Sequence, residues 1–317
     1  MESRRVDAFV RFAWITLGIT TVVIIWGAVV RATGSGAGCG NHWPLCDGVV
    51  VPLAPGTSTI IEYTHRLTSG VAMILSLVML VWSRRVFSAG HRARVWAAAA
   101  FVFMIIEALV GAGLVLLGLV EDNASAMRAG YIAVHLVNTM LLIGAMTGTI
   151  YHGSRVLGSS GARVPGFSGA QVGSQVRRST GLAVTLVGLL AVAATGAVVA
   201  LGDTLFPHAS LAEGIAADLD PTAHFLIRLR IFHPLLAAAV ALVALALTRR
   251  DPTFVSPGRE GLRSLVMMLV LAQMGFGVIN LAMLAPLPLQ MAHLLGSNLL
   301  WTAMVWSWLS GTTQAPK

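Results

Sequence analysis

Eight long apolar runs joined by short polar segments limit this chain more than any other feature of its sequence. A helix needs about 20 apolar residues to cross the hydrocarbon core of a bilayer. Runs at 9–31, 60–83, 95–119, 131–152, 179–201, 223–248, 264–285 and 288–310 meet that length. Of the 317 residues, 56% are hydrophobic and 11% are charged, whereas a soluble domain carries roughly 25% charged residues. Lipid can take up that apolar surface and a packed core cannot. The expected fold is an all-α membrane protein of eight transmembrane helices. The first run follows Arg4 and Arg5 and is too long for the roughly 7–15 residue core of a signal peptide, so it is read as a retained helix.

Basic residues set the expected orientation. Arg4, Arg5 and Arg11 precede or open the first span, and Arg84, Arg85, Arg92 and Arg94 lie between the second and third. Arg155, Arg163, Arg177 and Arg178 lie between the fourth and fifth, Arg249, Arg250, Arg259 and Arg263 between the sixth and seventh, and Lys317 closes the chain. The other side holds Arg31, Arg66, Arg128, Arg228 and Arg230. That bias places both termini in the cytoplasm, with the plasma membrane of a prokaryotic cell as the expected location. The net charge of +8 does not point to nucleic acid, because the arginines fall in short clusters between apolar runs and form no basic face. Most acids lie in the outer loops, as do both cysteines. Cys39 and Cys46 share the first outer loop, where oxidising conditions favour a disulfide over two free thiols.

The segment 153–178 is rich in Gly, Ser, Arg and Gln and reads as a cytoplasmic linker at mid-chain. The sequences on its two sides resemble each other. Gly27-Ala28-Val29-Val30 ends the first run and Gly196-Ala197-Val198-Val199 ends the fifth. His65 then matches His233, Glu107 and Gly111 match Gln273 and Gly277, and His135 matches His293. Four helices per half give both halves the same orientation, so the expected architecture is two tandem four-helix bundles related by a pseudo-twofold axis along the membrane normal. The expected divisions are 1–152, the linker 153–178, and 179–317.

The four matched histidines fall in the outer half of the even-numbered spans. A lone histidine in a membrane helix is commonly a hydrogen-bonding residue of the bundle. Four at matched depth, repeated across a duplication, point to metal ligation. Zinc or copper generally takes three or four clustered ligands, and each half offers two imidazoles on different helices, the set a six-coordinate heme needs. Gly70 and Ser69 are small residues that suit a flat macrocycle. His91 and His152, at the expected cytoplasmic edge, are read as solvated; His42, His208 and His224 belong to outer loops or a helix start.

The halves are not equivalent. Glu62 precedes His65 by three residues and shares its helix face, while Arg230 precedes His233 by three. A carboxylate beside a heme suits proton transfer, and a guanidinium suits a heme propionate. The first half is therefore expected to do chemistry with Glu62 as its catalytic group, and the second to store or relay electrons. Arg66 and Arg228 are further propionate candidates or interfacial anchors. Glu107, near the middle of the third span, is expected to be protonated or paired inside the bundle.

The stretch from Gly27 to Pro44 (GAVVRATGSGAGCGNHWP), the following Leu45-Cys46, and Glu62 to Arg66 as E-x-x-H-R resemble the heme A synthases, as do His135, His233 and His293. The resemblance covers essentially the whole chain. It implies oxidation of a ring methyl of heme O to a formyl group, giving heme A for terminal oxidases. It implies that His65 and His135 flank the substrate heme O, that His233 and His293 ligate a resident heme B, that Glu62 is the essential glutamate, and that Cys39 and Cys46 are the first-loop pair. Heme O synthase and the terminal oxidase assembly machinery would be its partners, with a homo-oligomer left open. Two features depart from the pattern. The loop 202–222 lacks a second cysteine pair, and Glu107 stands where a neutral polar residue such as glutamine is expected. Two other readings remain at this point: a diheme b-type electron carrier, and a heme-binding transporter or assembly factor.

Overall fold

The computed structural model describes residues 2–159, 176–177 and 179–313. Among the described residues its regular structure is helical, apart from a two-residue antiparallel pairing of Val176-Arg177 with Thr312-Thr313 and a single bridge between Cys46 and Val49 in the first loop. The long helices are α1 (Glu2–Ala32), α2 (Thr57–Val86), α3 (Arg92–Leu116), α4 (Ala126–Ser159) and α5 (Thr180–Leu205). The short helices α6 (Leu211–Leu219) and α7 (Phe225–Arg228) follow, then α8 (Phe232–Arg250), α9 (Pro252–Val255), α10 (Glu260–Ala282) and α11 (Leu287–Ser310). Among the described residues, seven helices are long and apolar enough to cross a membrane, with α7 and α8 counted as one stretch, Phe225–Arg250. Their outward faces carry aliphatic side chains, such as Ile74 at 61% and Val187 at 67% exposure, which only a lipid surrounding tolerates at this density. The chain is a multi-pass membrane protein.

The eighth expected span forms as a 24-residue helix, α11, but is not one of the seven. Gln290, His293, Ser297, Asn298 and Ser307 dilute its apolar character. It is instead enclosed at its far end, where Leu300, Trp301, Met304, Val305 and Trp306 are buried against other helices. The expected span 223–248 is broken at Leu229–Ile231, so His233 sits in the first turn of α8 and not deep within a continuous helix. Part of the expected linker, 153–159, belongs to α4; residues 160–175 and 178, with Arg163 and Arg178, lie outside the described residues, as does Lys317.

The helices pack in two rings. Helices α1, α2, α3 and α4 contact one another in that order and α4 closes on α1, which puts α2 and α4 on opposite corners. Helices α5, α8, α10 and α11 repeat the pattern, with α8 and α11 on opposite corners. The rings meet through α1 and α4 on one side and α5 and α11 on the other. Trp301 Nε1 donates to the Met140 carbonyl at 2.6 Å across this contact.

The tightly packed cores lie at one end of both rings. In the first, Phe9, Met79, Ala97, Ile143, Met146 and Ile150 are buried; in the second, Leu182, Ala244, Phe254, Val266 and Met304 are. These residues come from the first halves of α1, α3, α5 and α10 and the second halves of α2, α4, α8 and α11, with Phe254 from α9. The opposite end is built differently: from Thr57 to Val71 of α2, Glu62 alone is buried.

Candidate functional site

The four matched histidines lie at that second end. His65 and His135 come from the opposite corners α2 and α4, and their rings fall within electrostatic range of each other. His233 and His293 come from the opposite corners α8 and α11 and do the same. Each ring faces a glycine on a neighbouring helix. A β-carbon at Gly27 would stand 2.8 Å from His65 Cε1, and one at Gly196 would stand 2.9 Å from His233 Cε1. At Gly111 it would meet His135 at 3.9 Å, and at Gly277 it would meet His293 at 3.5 Å. The repeat seen in the sequence is thus a repeat of contacts, with a glycine opposite every histidine. Gly70 has nothing within 4 Å of an added β-carbon, and Ser69 Oγ donates to the His65 carbonyl at 2.7 Å, so neither packs against a histidine ring as the four glycines do. The four glycines are present in the repeat, and their registration with the histidines is the signal that identifies them.

His233 Nδ1 has the Val192 carbonyl and Thr195 Oγ1 each at 3.2 Å, which leaves Nε2 as the nitrogen open to a ligand. The Nδ1 atoms of His65 and His293 are buried with no hydrogen-bond partner. Among the described residues no group of three or more His, Cys, Asp or Glu side chains could hold a lone metal ion. Two imidazoles across the diagonal of a four-helix ring, each beside a residue without a side chain, fit a flat macrocycle with one axial ligand on either face.

Glu62 is 3% exposed and hydrogen-bonded at both oxygens. Arg66 donates to its Oε1 from Nε at 3.1 Å and from Nη2 at 2.5 Å, and the Cys39 backbone N–H donates to its Oε2 at 2.8 Å. Arg66 also donates from Nη1 to the carbonyls of His42 and Leu45, at 2.5 and 2.6 Å. Those carbonyls lie within the loop closed by the Cys39–Cys46 disulfide, both of whose cysteines are buried. Gly38 lets this loop approach α2: a β-carbon there would stand 2.4 Å from the Ser58 backbone. The disulfide loop, Arg66 and Glu62 therefore form one connected unit over the start of α2, one helical turn from His65.

In the second half, Arg230 Nε lies 3.1 Å from Asp203 Oδ1, and its Nη2 donates to the carbonyls of Gly202 and Phe206 at 2.7 and 2.8 Å. Asp218 lies 3.9 Å from the same guanidinium; burial pushes its carboxyl above the usual range against the pull of Arg230 and His208. Each half thus pairs an acid with an arginine near its first histidine, but the acid of the second comes from α5. Arg228 is exposed and makes one long contact, 3.4 Å to the Pro221 carbonyl. Arg31, at the end of α1, is a residue that sequence reasoning missed as part of this region. It donates to the Ala200 carbonyl and Thr204 Oγ1 of α5, both at 2.5 Å, and to Gln290 Oε1 of α11 at 2.8 Å. These bonds bring the histidine ends of the two rings together.

Glu107 is paired inside the bundle, one of the two states expected for it. Its Oε2 accepts from Asn138 Nδ2 at 2.6 Å and its Oε1 from Thr139 Oγ1 at 2.5 Å. His152, expected to be solvated, is buried beside Trp96 and Tyr151, because α4 runs past it and both aromatic rings pack on it. His91 caps α3 by accepting from the Ala93 N–H, and His224 caps α7 by accepting from the Leu226 N–H.

The COX15-CtaA family model, described as cytochrome oxidase assembly protein, matches residues 10–305. A Thermus thermophilus protein named protoheme IX farnesyltransferase is 41% identical over 298 residues, which is 93% of this chain and 47% of the relative. A heme A synthase of an Exiguobacterium strain is 35% identical over 144 residues, 45% of each chain. One of Shouchella clausii is 39% identical over 127 residues, 40% of this chain and 42% of the relative. The chain spans about half the length of the curated relatives it matches. A match over nearly the full length settles the family: the chain belongs to the COX15-CtaA family of cytochrome oxidase assembly proteins.

Proposed function

We propose that this protein is a heme A synthase of the plasma membrane, oxidising a ring methyl of heme O to a formyl group. The observation that carries the reading is the fixed position of Glu62, buried one turn from His65 with both oxygens held. Each carboxylate oxygen has more than one lone pair, so the bonds from Arg66 and Cys39 orient Glu62 and still leave it able to take up a proton released near His65. His65 and His135 grip the substrate. His233 and His293 hold heme B, which supplies one-electron transfer when bound.

Arg66 and Arg230 commit donors to Glu62 and Asp203, so their part is to hold the frame, and Arg228 is the propionate partner with the most donors to spare. The name of the Thermus relative describes prenylation of protoheme IX, and more than half of that relative has no counterpart here. The matched segment is read as the step that follows, acting on a farnesylated heme, with a heme O synthase supplying substrate and the oxidase assembly machinery receiving product.

The repeated ring, the repeated glycine–histidine contacts and a junction formed by the same helices of each ring support two halves related by a pseudo-twofold axis along the membrane normal. On that reading α11 is the eighth span, and the arginine bias puts both termini in the cytoplasm. Expression with a supply of heme O, followed by chromatography of extracted pigments, should yield heme A beside heme B. Glu62→Ala should abolish heme A while both hemes still load. Heme B alone at both sites of the unaltered protein would favour an electron carrier instead.

A further inference from the structure

The two halves differ in what stands behind the second histidine of each pair. In the first, Glu107 Oε1 lies 3.3 Å from His135 Nδ1, close but off the angle of a good hydrogen bond. Asn138 and Thr139, three and four residues after that histidine, hold the carboxylate against it. In the second half the matching residue is Gln273. Its amide nitrogen donates to the His293 carbonyl at 2.9 Å and to Ser297 Oγ at 2.5 Å, and lies 3.4 Å from His293 Nε2. Ser297 matches Thr139, but Gly296 stands where Asn138 does, and a β-carbon there would be 2.4 Å from Gln273 Oε1. His293 Nδ1 is left without a partner.

A carboxylate beside one nitrogen of a ligating imidazole fixes its tautomer and ring orientation and makes the other nitrogen a more basic ligand. A neutral amide that reaches Nε2 of His293 and not its Nδ1 brings no such charge to the ring. A more basic axial ligand, with a negative charge nearby, favours the oxidised iron. We propose that Glu107 is a positioning residue that turns His135 Nε2 toward the iron and sets the reduction potential of the first-half heme below that of the second. Electrons released at the first site then run downhill to the second. The inference rests on the reading that His65 and His135 hold a heme.

The test is a potentiometric titration of the full-length, heme-loaded protein, followed by visible absorbance and by the low-spin ferric EPR spectrum. Glu107→Gln gives the first half the side chain that the second half already has. It should raise the first-site midpoint potential, alter that site's EPR spectrum and leave the second site unmoved. Gln273→Glu, the opposite exchange, should lower the second-site potential, and it carries the test should Glu107→Gln fail to fold. Unmoved potentials with heme retained in these variants overturn the inference. His65→Ala and His135→Ala identify the first-site heme by its loss. Heme content unchanged in both overturns the ligand assignment and this inference with it, whereas an unmoved potential on a heme lost in those two variants overturns this inference alone.

Discussion

At the scale of single residues, Gly27 and Gly196 are the two of the four histidine-facing glycines at which a side chain would collide with the ring. Replacing a helical glycine with alanine ordinarily stabilises the helix by about 0.5–1 kcal/mol. At Gly27 the added methyl meets the His65 ring at 2.8 Å, so the ring itself must move. Gly27→Ala should therefore lose the first-site heme and keep the second, measured as heme bound per protein. Gly70→Ala, with nothing within 4 Å of the new methyl, should keep both. The contrast also marks what can be read from the residues alone. His65, His135, His233, His293 and Glu62 are legible from type, spacing and repetition. The role of the glycines is not, because proximity in sequence favours Gly70, while the contact to His65 comes from a different helix. The engagement of Arg66 with Glu62 and the disulfide loop is hidden for a similar reason: its carbonyl partners at His42 and Leu45 are set by loop conformation, which side-chain pattern does not specify.

At the scale of elements, hydrophobic runs locate every long helix, with ends displaced by up to four residues in most cases and further at Glu2 and Ser159, where polar residues extend α1 and α4. Two elements resist this reading. The sixth run is continuous in hydropathy, yet the chain breaks between α7 and α8, where Arg230 turns back to Asp203 and the carbonyls ending α5. The polar residues of α11 lower its hydropathy because much of the helix faces protein and little of it faces lipid. Arg31 shows an element end acting as a fastener, since one guanidinium on α1 bonds to both α5 and α11. Arg31→Met should destabilise the protein by about 2 kcal/mol, the scale of lost hydrogen bonds to a charged group, measured by denaturant titration in detergent. Arg228→Ala, at an exposed side chain, should stay within roughly 0.5 kcal/mol of the parent.

At the scale of the whole molecule, the sequence contains the repeated landmarks but not the arrangement of helices, because periodicity reports which face is apolar and is silent on which neighbour covers it. The arginine bias makes a prediction that impermeant thiol reagents can check in intact cells. A cysteine at Asp122, between α3 and α4, should be labelled from outside, and one at Ser88, between α2 and α3, only after permeabilisation. The reverse pattern would invert the molecule, and equal labelling would contradict a span between the two positions. The diagonal placement of each histidine pair has a geometric consequence under the proposed function. A planar guest gripped from opposite corners would lie across the middle of its ring, with its edges toward the seams between adjacent helices, and in a membrane-spanning ring those seams face lipid and not water.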